Sequence, residues 1–159
     1  MHELGASEQL IGWAYTYPAL MELPLMWWAD KLIHKYGAGN LLSLSFLLEG
    51  IALSVVAVFP SMASILFMRA ASGLYYSFYA IASVAYTVDN APEGQAATML
   101  SLYYVTLAGI ISLITAPLSG MIFDKLGAYP LYIIAAIGTL AGWLALIISQ
   151  KKSAQIQVA

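Results

Sequence analysis

Glu22 is the residue best suited to chemistry in the stretch from Tyr15 to Gly37, which opens as an apolar span and closes in a polar turn. An ionisable side chain inside a segment of bilayer length is costly, and it usually faces a protein interior or a water-filled cavity. A carboxylate held there can exchange a proton near neutral pH. Pro24 lacks a backbone donor and is expected to disturb the helix beside Glu22. The pattern indicates a substrate or proton site. The alternatives are a neutral structural glutamate or a residue near the membrane surface.

Arg69 and two tyrosines make a second candidate group in the third apolar segment. A lone cation in a membrane needs a carboxylate, such as Glu22 or Glu49, or must extend to the surface. Glu49 itself is interpreted as a structural residue that is protonated or paired. Tyr75 and Tyr79 lie one helical turn apart and share a helix face. Aromatic rings with hydroxyls suit the stacking and hydrogen bonding of sugar or nucleoside rings, and interhelical packing is the alternative.

The composition argues against most other chemistries. Of the 159 residues, 62% are hydrophobic and 9% are charged, with a net charge of −2. In soluble domains about a quarter of the residues are charged. The much lower charged fraction here, together with the long apolar segments, predicts an all-α membrane protein. There is no cysteine, both histidines lie outside the apolar segments, and no hydrolase, zinc or phosphate-binding motif occurs. We therefore expect no enzyme activity, no metal, no cofactor and no nucleic-acid partner.

Five apolar segments of about bilayer length are expected to be transmembrane helices, with the lipid bilayer as their first partner. The polar start, MHELGASEQL, lacks the basic residues and cleavage site of a signal peptide, and it is expected to be a loop before a helix that starts at Ser7. A small excess of lysines places the first turn and the C terminus in the cytoplasm. The predicted spans are 10–30, 40–59, 62–88, 97–122 and 129–149, in one domain of residues 1–159.

Two polar turns resemble one another and indicate an internal repeat. Each follows a Pro-Leu pair and is followed by an apolar span. The residues are Asp30, Lys31 and Gly37 in the first turn, and Gly120, Asp124, Lys125 and Gly127 in the second. Acidic and basic residues can pair or cap helices across such a turn, and glycine permits a left-handed helix end. Repeated helix triplets are common in secondary transporters, and a triplet unit here would need one more helix before the first span.

The second turn resembles the loop signature G-x-L-x-D-R-x-G of the major facilitator superfamily, and the first turn resembles a degenerate copy. The stretches LGASEQLIG, MELP and DNAPEG extend the resemblance over nearly the whole chain, towards the branch that holds lactose permease and nucleoside–proton symporters. The resemblance implies the eighth to twelfth helices of a twelve-helix transporter. The chain would then be a partial six-helix half of the fold, without the N-terminal half and one further helix.

The resemblance implies a secondary active transporter, proton-coupled or facilitative, in a bacterial inner membrane. It would move a small polar solute, such as a sugar or nucleoside, by alternating access together with the missing N-terminal half. Glu22 resembles a substrate-site carboxylate of nucleoside symporters, and Arg69 resembles a basic position of lactose permease. Tyr75 and Tyr79 would line or support the cavity, and the two polar turns would latch conformations. Ser72 and Tyr75 replace the coupling histidine and glutamate of lactose permease, which leaves ion and substrate open. The alternative is a small non-transporting membrane protein that packs with a partner subunit.

Overall fold

The structure is a computed structural model that describes residues 7–158, with side chains up to residue 151. The described chain is all helical apart from short turns, and no β-strand occurs within residues 7–158. Residues 1–6, most of the expected N-terminal loop, lie outside the described part. The helices are α1 (Glu8–Trp27), α2 (Ala29–Tyr36), α3 (Ala38–Val58), α4 (Met62–Asp89), α5 (Ala96–Ser101), α6 (Ala108–Leu126) and α7 (Tyr129–Val158), and a π-helical segment (Leu102–Leu107) joins α5 to α6.

Local side-chain chemistry explains where several helices begin and end. The Ser7 hydroxyl accepts a hydrogen bond from the first turn of α1 at 3.2 Å, as predicted. Ser61 and Ser64 cap α4 reciprocally, because each hydroxyl accepts from the other residue's backbone N–H, at 3.2 and 3.1 Å. Gly37 and Gly127 end α2 and α6 with φ of 78°, a conformation that side chains other than glycine disfavour.

The prediction of a polar turn after the first span was wrong, because these residues form a helix. Residues 29–36 make the short helix α2, and the first helix ends at Trp27 rather than near residue 30. Asp30 lies in the first turn of α2 and Lys35 in its last turn, where each charge complements the helix dipole. The second motif is also largely helical, since α6 continues to Leu126 instead of ending near residue 122.

Three helices of the described residues are long and apolar enough to cross a membrane: Ala38–Val58, Ala96–Leu126 and Tyr129–Lys151. The helices α1 and α4 have 20 and 28 residues, a sufficient length, because a bilayer core needs about 20 helical residues. Their charged residues and tyrosines make them less apolar. The prediction of five spans therefore stays a prediction for these two helices.

Helix α3 is the centre of the packing, since it contacts α4 on one side and α7 on the other, while α1 packs against α4. Two glycines let the backbones approach closely. A Cβ added at Gly50 of α3 would lie 2.6 Å from the Leu140 side chain of α7, and one at Gly73 of α4 would lie 2.6 Å from the Pro18 carbonyl oxygen of α1. These contacts decide which faces of α3 and α7 meet and which faces of α1 and α4 meet.

Helix α6 is different, because none of its residues is buried within the described structure. Its large apolar side chains point outwards, and Leu113 is 77% exposed. An added Cβ at Gly109 or Gly120 would have no neighbour within 4 Å. Within the described residues, α6 contacts mainly α7 and the π-helical segment, and most of its surface has no helix packed against it.

Candidate solute-binding site

A cavity of about 370 Å³ lies between α1, α3 and α4, where Gly73 brings α1 and α4 together. We call it the charged cavity. Its polar lining consists of Tyr15 and Glu22 from α1, Glu49 from α3, and Arg69, Ser72, Tyr75 and Tyr76 from α4. Two carboxylates, one guanidinium and several hydroxyls thus face one concave space. Such a space can bind a polar solute by hydrogen bonds from several directions.

A second cavity, of about 360 Å³, adjoins the first. We call it the tyrosine cavity. It is lined by Phe46 and Glu49 from α3, Tyr75, Tyr76 and Tyr79 from α4, and Tyr103 from the π-helical segment. Both cavities are bordered by Glu49, Tyr75 and Tyr76. The candidate site is therefore a groove with a charged compartment and an aromatic compartment.

The four predicted solute or proton residues are divided between these compartments. Glu22, Arg69 and Tyr75 line the charged cavity, and Tyr75 and Tyr79 line the tyrosine cavity. The helix face that Tyr75 and Tyr79 share thus forms part of the wall of the groove. The binding roles of all four residues stay predictions.

Arg69 has a partner that the sequence did not suggest. Its guanidinium donates a hydrogen bond to the Tyr15 hydroxyl at 3.1 Å and lies 4.4 Å from the centroid of the Tyr15 ring. Within the described part of the chain, it forms no ion pair with Glu22 or Glu49. A cation–π contact and a phenol thus replace the expected carboxylate. Because a guanidinium has five N–H donors, most of them are left for a ligand.

Hydrogen bonds between tyrosines and a serine join α4 to the π-helical segment. The hydroxyls of Tyr79 and Tyr103 are 3.0 Å apart, and those of Ser83 and Tyr104 are 2.6 Å apart. The rings of Tyr103 and Tyr104 meet edge to face, with centroids 4.9 Å apart. In this segment the N–H of Ala108 bonds to the carbonyl of Tyr103, five residues earlier. Such wide turns often occur at functional sites.

Two residues of the groove were not assigned to the candidate site from the sequence. Glu49 was interpreted as structural, yet it borders both cavities. Its position in the middle of a strongly apolar helix was the available signal. Tyr103 was not assigned to the site, although the Tyr-Tyr pair at 103–104 repeats the pair at 75–76. That repetition was the only sequence signal for a shared aromatic wall.

The two conformational motifs lie away from the cavities. Asp30, Lys31 and Lys125 are exposed, as is Asp124. The Nδ1 of His34 lies 3.4 Å from the Asp30 carboxylate, with both side chains largely exposed. Among the residues described, no ion pair joins Asp30 to Lys31 or Asp124 to Lys125. The positive φ angles at Gly37 and Gly127 agree with helix ends, and the latching role stays a prediction.

No group of three or more histidine, aspartate or glutamate side chains that could hold a metal ion occurs among the described residues. The groove itself contains two carboxylates, Glu22 and Glu49, with aromatic and hydroxyl neighbours. Its chemistry suits hydrogen bonding to a neutral or weakly charged polar solute.

Comparison with known proteins agrees with this architecture. The chain matches the sequence model of the Major Facilitator Superfamily over residues 1–157. It is also similar to a maltose permease from Geobacillus stearothermophilus, with 26% identity over 152 residues. The alignment covers 96% of this chain and 39% of that permease, so the chain spans about two fifths of the permease's length. No solved structure matches the chain significantly.

The chain therefore belongs to the major facilitator superfamily, as the signature at Gly120–Gly127 predicted. It is an all-α integral membrane protein, and its described residues form part of a six-helix half of that fold. The charged cavity and the tyrosine cavity lie between helices of this half.

Proposed function

We propose that the chain forms one wall of the solute pathway in a secondary transporter that moves a small hydroxylated ring compound, such as a sugar, by alternating access. The observation that carries the proposal is the charged cavity, where carboxylates, a guanidinium and tyrosines converge in about 370 Å³. This volume lies within the usual range for small-molecule sites. The similarity to a maltose permease supports a sugar over a nucleoside.

The residues of the charged cavity have complementary roles in this proposal. Glu22 accepts hydrogen bonds from solute hydroxyls or holds the coupled proton. Arg69 donates to solute oxygens through the N–H groups that Tyr15 does not use. Tyr75 offers an aromatic face and a hydroxyl to the solute. Uptake driven by a pH gradient would indicate a proton as the coupling ion, and gradient-independent equilibration would indicate facilitated transport.

The rest of the pathway wall comes from further helices in this proposal. The maltose permease is much longer than the aligned region, and the exposed face of α6 leaves a large apolar surface for lipid or other helices. The helices would belong to an N-terminal half of the same protein, in the inner membrane of a bacterium. Rocking of the two halves would open the cavities to each side in turn, with α2 and the end of α6 at the moving boundary.

Uptake of labelled sugars and nucleosides tests the proposal in cells that express the intact protein. Glu22→Gln should lower sugar uptake at least tenfold, while the amount of protein in the membrane stays the same. Glu93→Gln is the matched control, because Glu93 is exposed in the turn between α4 and α5. Unchanged uptake in Glu22→Gln would remove Glu22 from the site.

The second candidate is a non-transporting protein that packs with a partner subunit, and the exposed apolar face of α6 is the observation that favours it. The same experiment separates the two candidates. Absence of uptake for every sugar and nucleoside, with the intact protein present in the membrane, would contradict the transporter proposal. Co-purification of a stoichiometric membrane partner would then support the second candidate.

A further inference from the structure

Helix α2 carries two lysines at one end of the helical bundle, directly after two exposed tryptophans. Lys31 and Lys35 are exposed and lie one helical turn apart, and we call this pair the lysine edge. Trp27 and Trp28, where α1 meets α2, are 86% and 54% exposed. We propose that the lysine edge binds the phosphate headgroup of an anionic phospholipid in preference to a zwitterionic one. The inference goes beyond the proposed function, because it depends only on the place of the chain in a membrane.

The exposed side of α2 is divided into two edges of different charge. Successive residues of an α-helix differ by about 100° in direction, so residues one turn apart share an edge. Asp30 and His34 share the first edge, where the Nδ1 of His34 lies 3.4 Å from the Asp30 carboxylate. Lys31 and Lys35 share the second edge, one residue further along the helix. Within the described part of the chain, neither lysine forms an ion pair, so both amines are left for an anion.

The opposite side of α2 is apolar and fixes the rotation of the helix. Leu32 and Ile33 pack against a buried cluster formed by Leu41 and Leu42 of α3 and Ala82 of α4. Because this packing turns the apolar side towards the bundle, the charged residues of α2 are directed outwards. The lysine edge is therefore held at a defined place on the surface of the protein.

The neighbouring helices place the lysine edge at the surface of the membrane. Helix α3, which is long and apolar enough to cross a membrane, begins at Ala38, three residues after Lys35. Trp27 and Trp28 precede the lysines, and tryptophan side chains prefer the headgroup level of a bilayer. Lysine side chains that start next to this level can extend their amines to lipid phosphates.

The end of α7 adds a third lysine to the same end of the bundle. The side-chain amide of Gln150 donates a hydrogen bond to the Gly39 carbonyl at 2.9 Å, so the end of α7 lies beside the start of α3. Lys151 follows directly and is exposed. Two exposed acidic residues, Asp89 and Glu93, lie at the end of α4 and in the turn after it. No ion pair joins them to a lysine among the residues described.

The separation of charges on α2 favours an anionic headgroup over a zwitterionic one. A zwitterionic headgroup carries a cation beside its phosphate, and that cation needs a carboxylate close to the lysines. Asp30 lies on the other edge, next to His34. An anionic headgroup has no such cation, and each lysine near it contributes a favourable electrostatic free energy. The exposed indoles of Trp27 and Trp28 add N–H donors at the same level.

The experiment measures lipid binding to the purified intact protein in an uncharged detergent by native mass spectrometry. Phosphatidylglycerol and phosphatidylcholine are titrated separately. The unsubstituted protein should bind phosphatidylglycerol about twentyfold more tightly, because each lysine of the edge contributes about fivefold. The double variant Lys31→Gln/Lys35→Gln should lose this preference and bind phosphatidylcholine as before. The controls are His34→Gln on the other edge of α2 and Lys125→Gln before the start of α7, and both should keep the preference.

The four substituted side chains are exposed, so the variants should fold like the unsubstituted protein. Equal affinity of the unsubstituted protein for the two lipids would overturn the site, as would a double variant that keeps the preference. An equal loss of preference in either control would show attraction by overall charge and would also overturn it. If the double variant is not recovered in folded form, salt decides the question. The preference of the unsubstituted protein should fall several-fold at about 0.5 M salt, and a preference that salt leaves unchanged would contradict the proposal.

Discussion

Two helical regions of this protein present different surfaces. The region formed by α1, α3 and α4 has a polar interior with cavities, whereas α6 has an exposed apolar surface. In the first region, half-buried charged residues and tyrosines line two cavities, and four serines of α3 and α4 are buried in the surrounding packing. In α6, apolar side chains are exposed and no residue is buried within the described structure. Of the three helices that border the charged cavity, α3 is among the three described helices apolar enough to cross a membrane, whereas α1 and α4 are not. The residues that lower their hydropathy include those that line the cavities.

The hydropathy of a helix in this protein depends on what surrounds the helix. A helix that borders a polar pathway can carry glutamate, arginine and tyrosine, because protein and water surround those groups. A helix that faces lipid needs an apolar surface along its whole length. The charged residues and tyrosines that α1 and α4 present to the cavities lower the hydropathy of these two helices, whereas α3 borders both cavities with one glutamate in an otherwise apolar helix.

Gly73→Ala and Gly109→Ala should give the largest contrast between the regions. A Cβ at Gly73 would lie 2.6 Å from the Pro18 carbonyl oxygen, and one at Gly109 would meet nothing within 4 Å. We expect the first change to lower the free energy of unfolding by about 3 kcal/mol through overpacking. The second should raise it by up to about 1 kcal/mol through helix propensity. Reversible unfolding in detergent measures both, and equal effects would break the comparison.

Truncation of apolar side chains should show the next largest difference. Val56 of α3 is 1% exposed and Leu113 of α6 is 77% exposed. Val56→Ala should cost about 2 kcal/mol of unfolding free energy, because it leaves a cavity in the core. Leu113→Ala should change that free energy by less than about 0.5 kcal/mol. A large cost at Leu113 in the intact protein would show that α6 packs against a helix outside the described residues.

Matched serine substitutions test the buried polar contacts of the cavity region. Ser83 is 2% exposed and its hydroxyl bonds to Tyr104 at 2.6 Å, whereas Ser119 of α6 is exposed. Ser83→Ala should lower the free energy of unfolding by about 1 kcal/mol, the net value of one hydrogen bond. Ser119→Ala should be neutral in the same measurement. A neutral result at Ser83 would mean that this contact does not stabilise the wall of the groove.

The smallest expected effect concerns the phenol that holds Arg69. Tyr15→Phe removes the 3.1 Å hydrogen bond but keeps the ring beneath the guanidinium. We expect the KM for the transported sugar to rise about threefold. Tyr17→Phe on the same helix is the control, since Tyr17 does not border the charged cavity. A larger effect at Tyr17 would argue that the solute contacts a different face of α1.

Much of the fold could be predicted because its causes are local. Apolar length predicted helices, and the serine at position 7 predicted the start of α1. Gly37 and Gly127 predicted breaks in the chain after the first and fourth spans, and in the structure they end α2 and α6. The signature at the end of α6 predicted the family. The helix α2 was missed, because a short run of polar residues resembles a turn until its neighbours stabilise it as a helix.

The candidate site was only partly predictable because it depends on which helix faces meet. Glu22, Arg69, Tyr75 and Tyr79 are marked by residue type and spacing alone. The contact between Arg69 and Tyr15 joins α4 to α1, and the contact between Tyr79 and Tyr103 joins α4 to the π-helical segment. No periodicity within one helix reports such contacts.

The sequence by itself determined the class of this protein: an apolar helical chain of the major facilitator superfamily, with a few ionisable groups inside its apolar stretches. Those properties follow from composition and short-range patterns, which do not depend on the rest of the fold. The tertiary structure alone decided that Glu49 joins two cavities and that Tyr103 forms the wall of one. The physical reason is close packing: Gly50 against Leu140 and Gly73 against Pro18 set the rotations of α3 and α4, and those rotations direct every side chain of the groove.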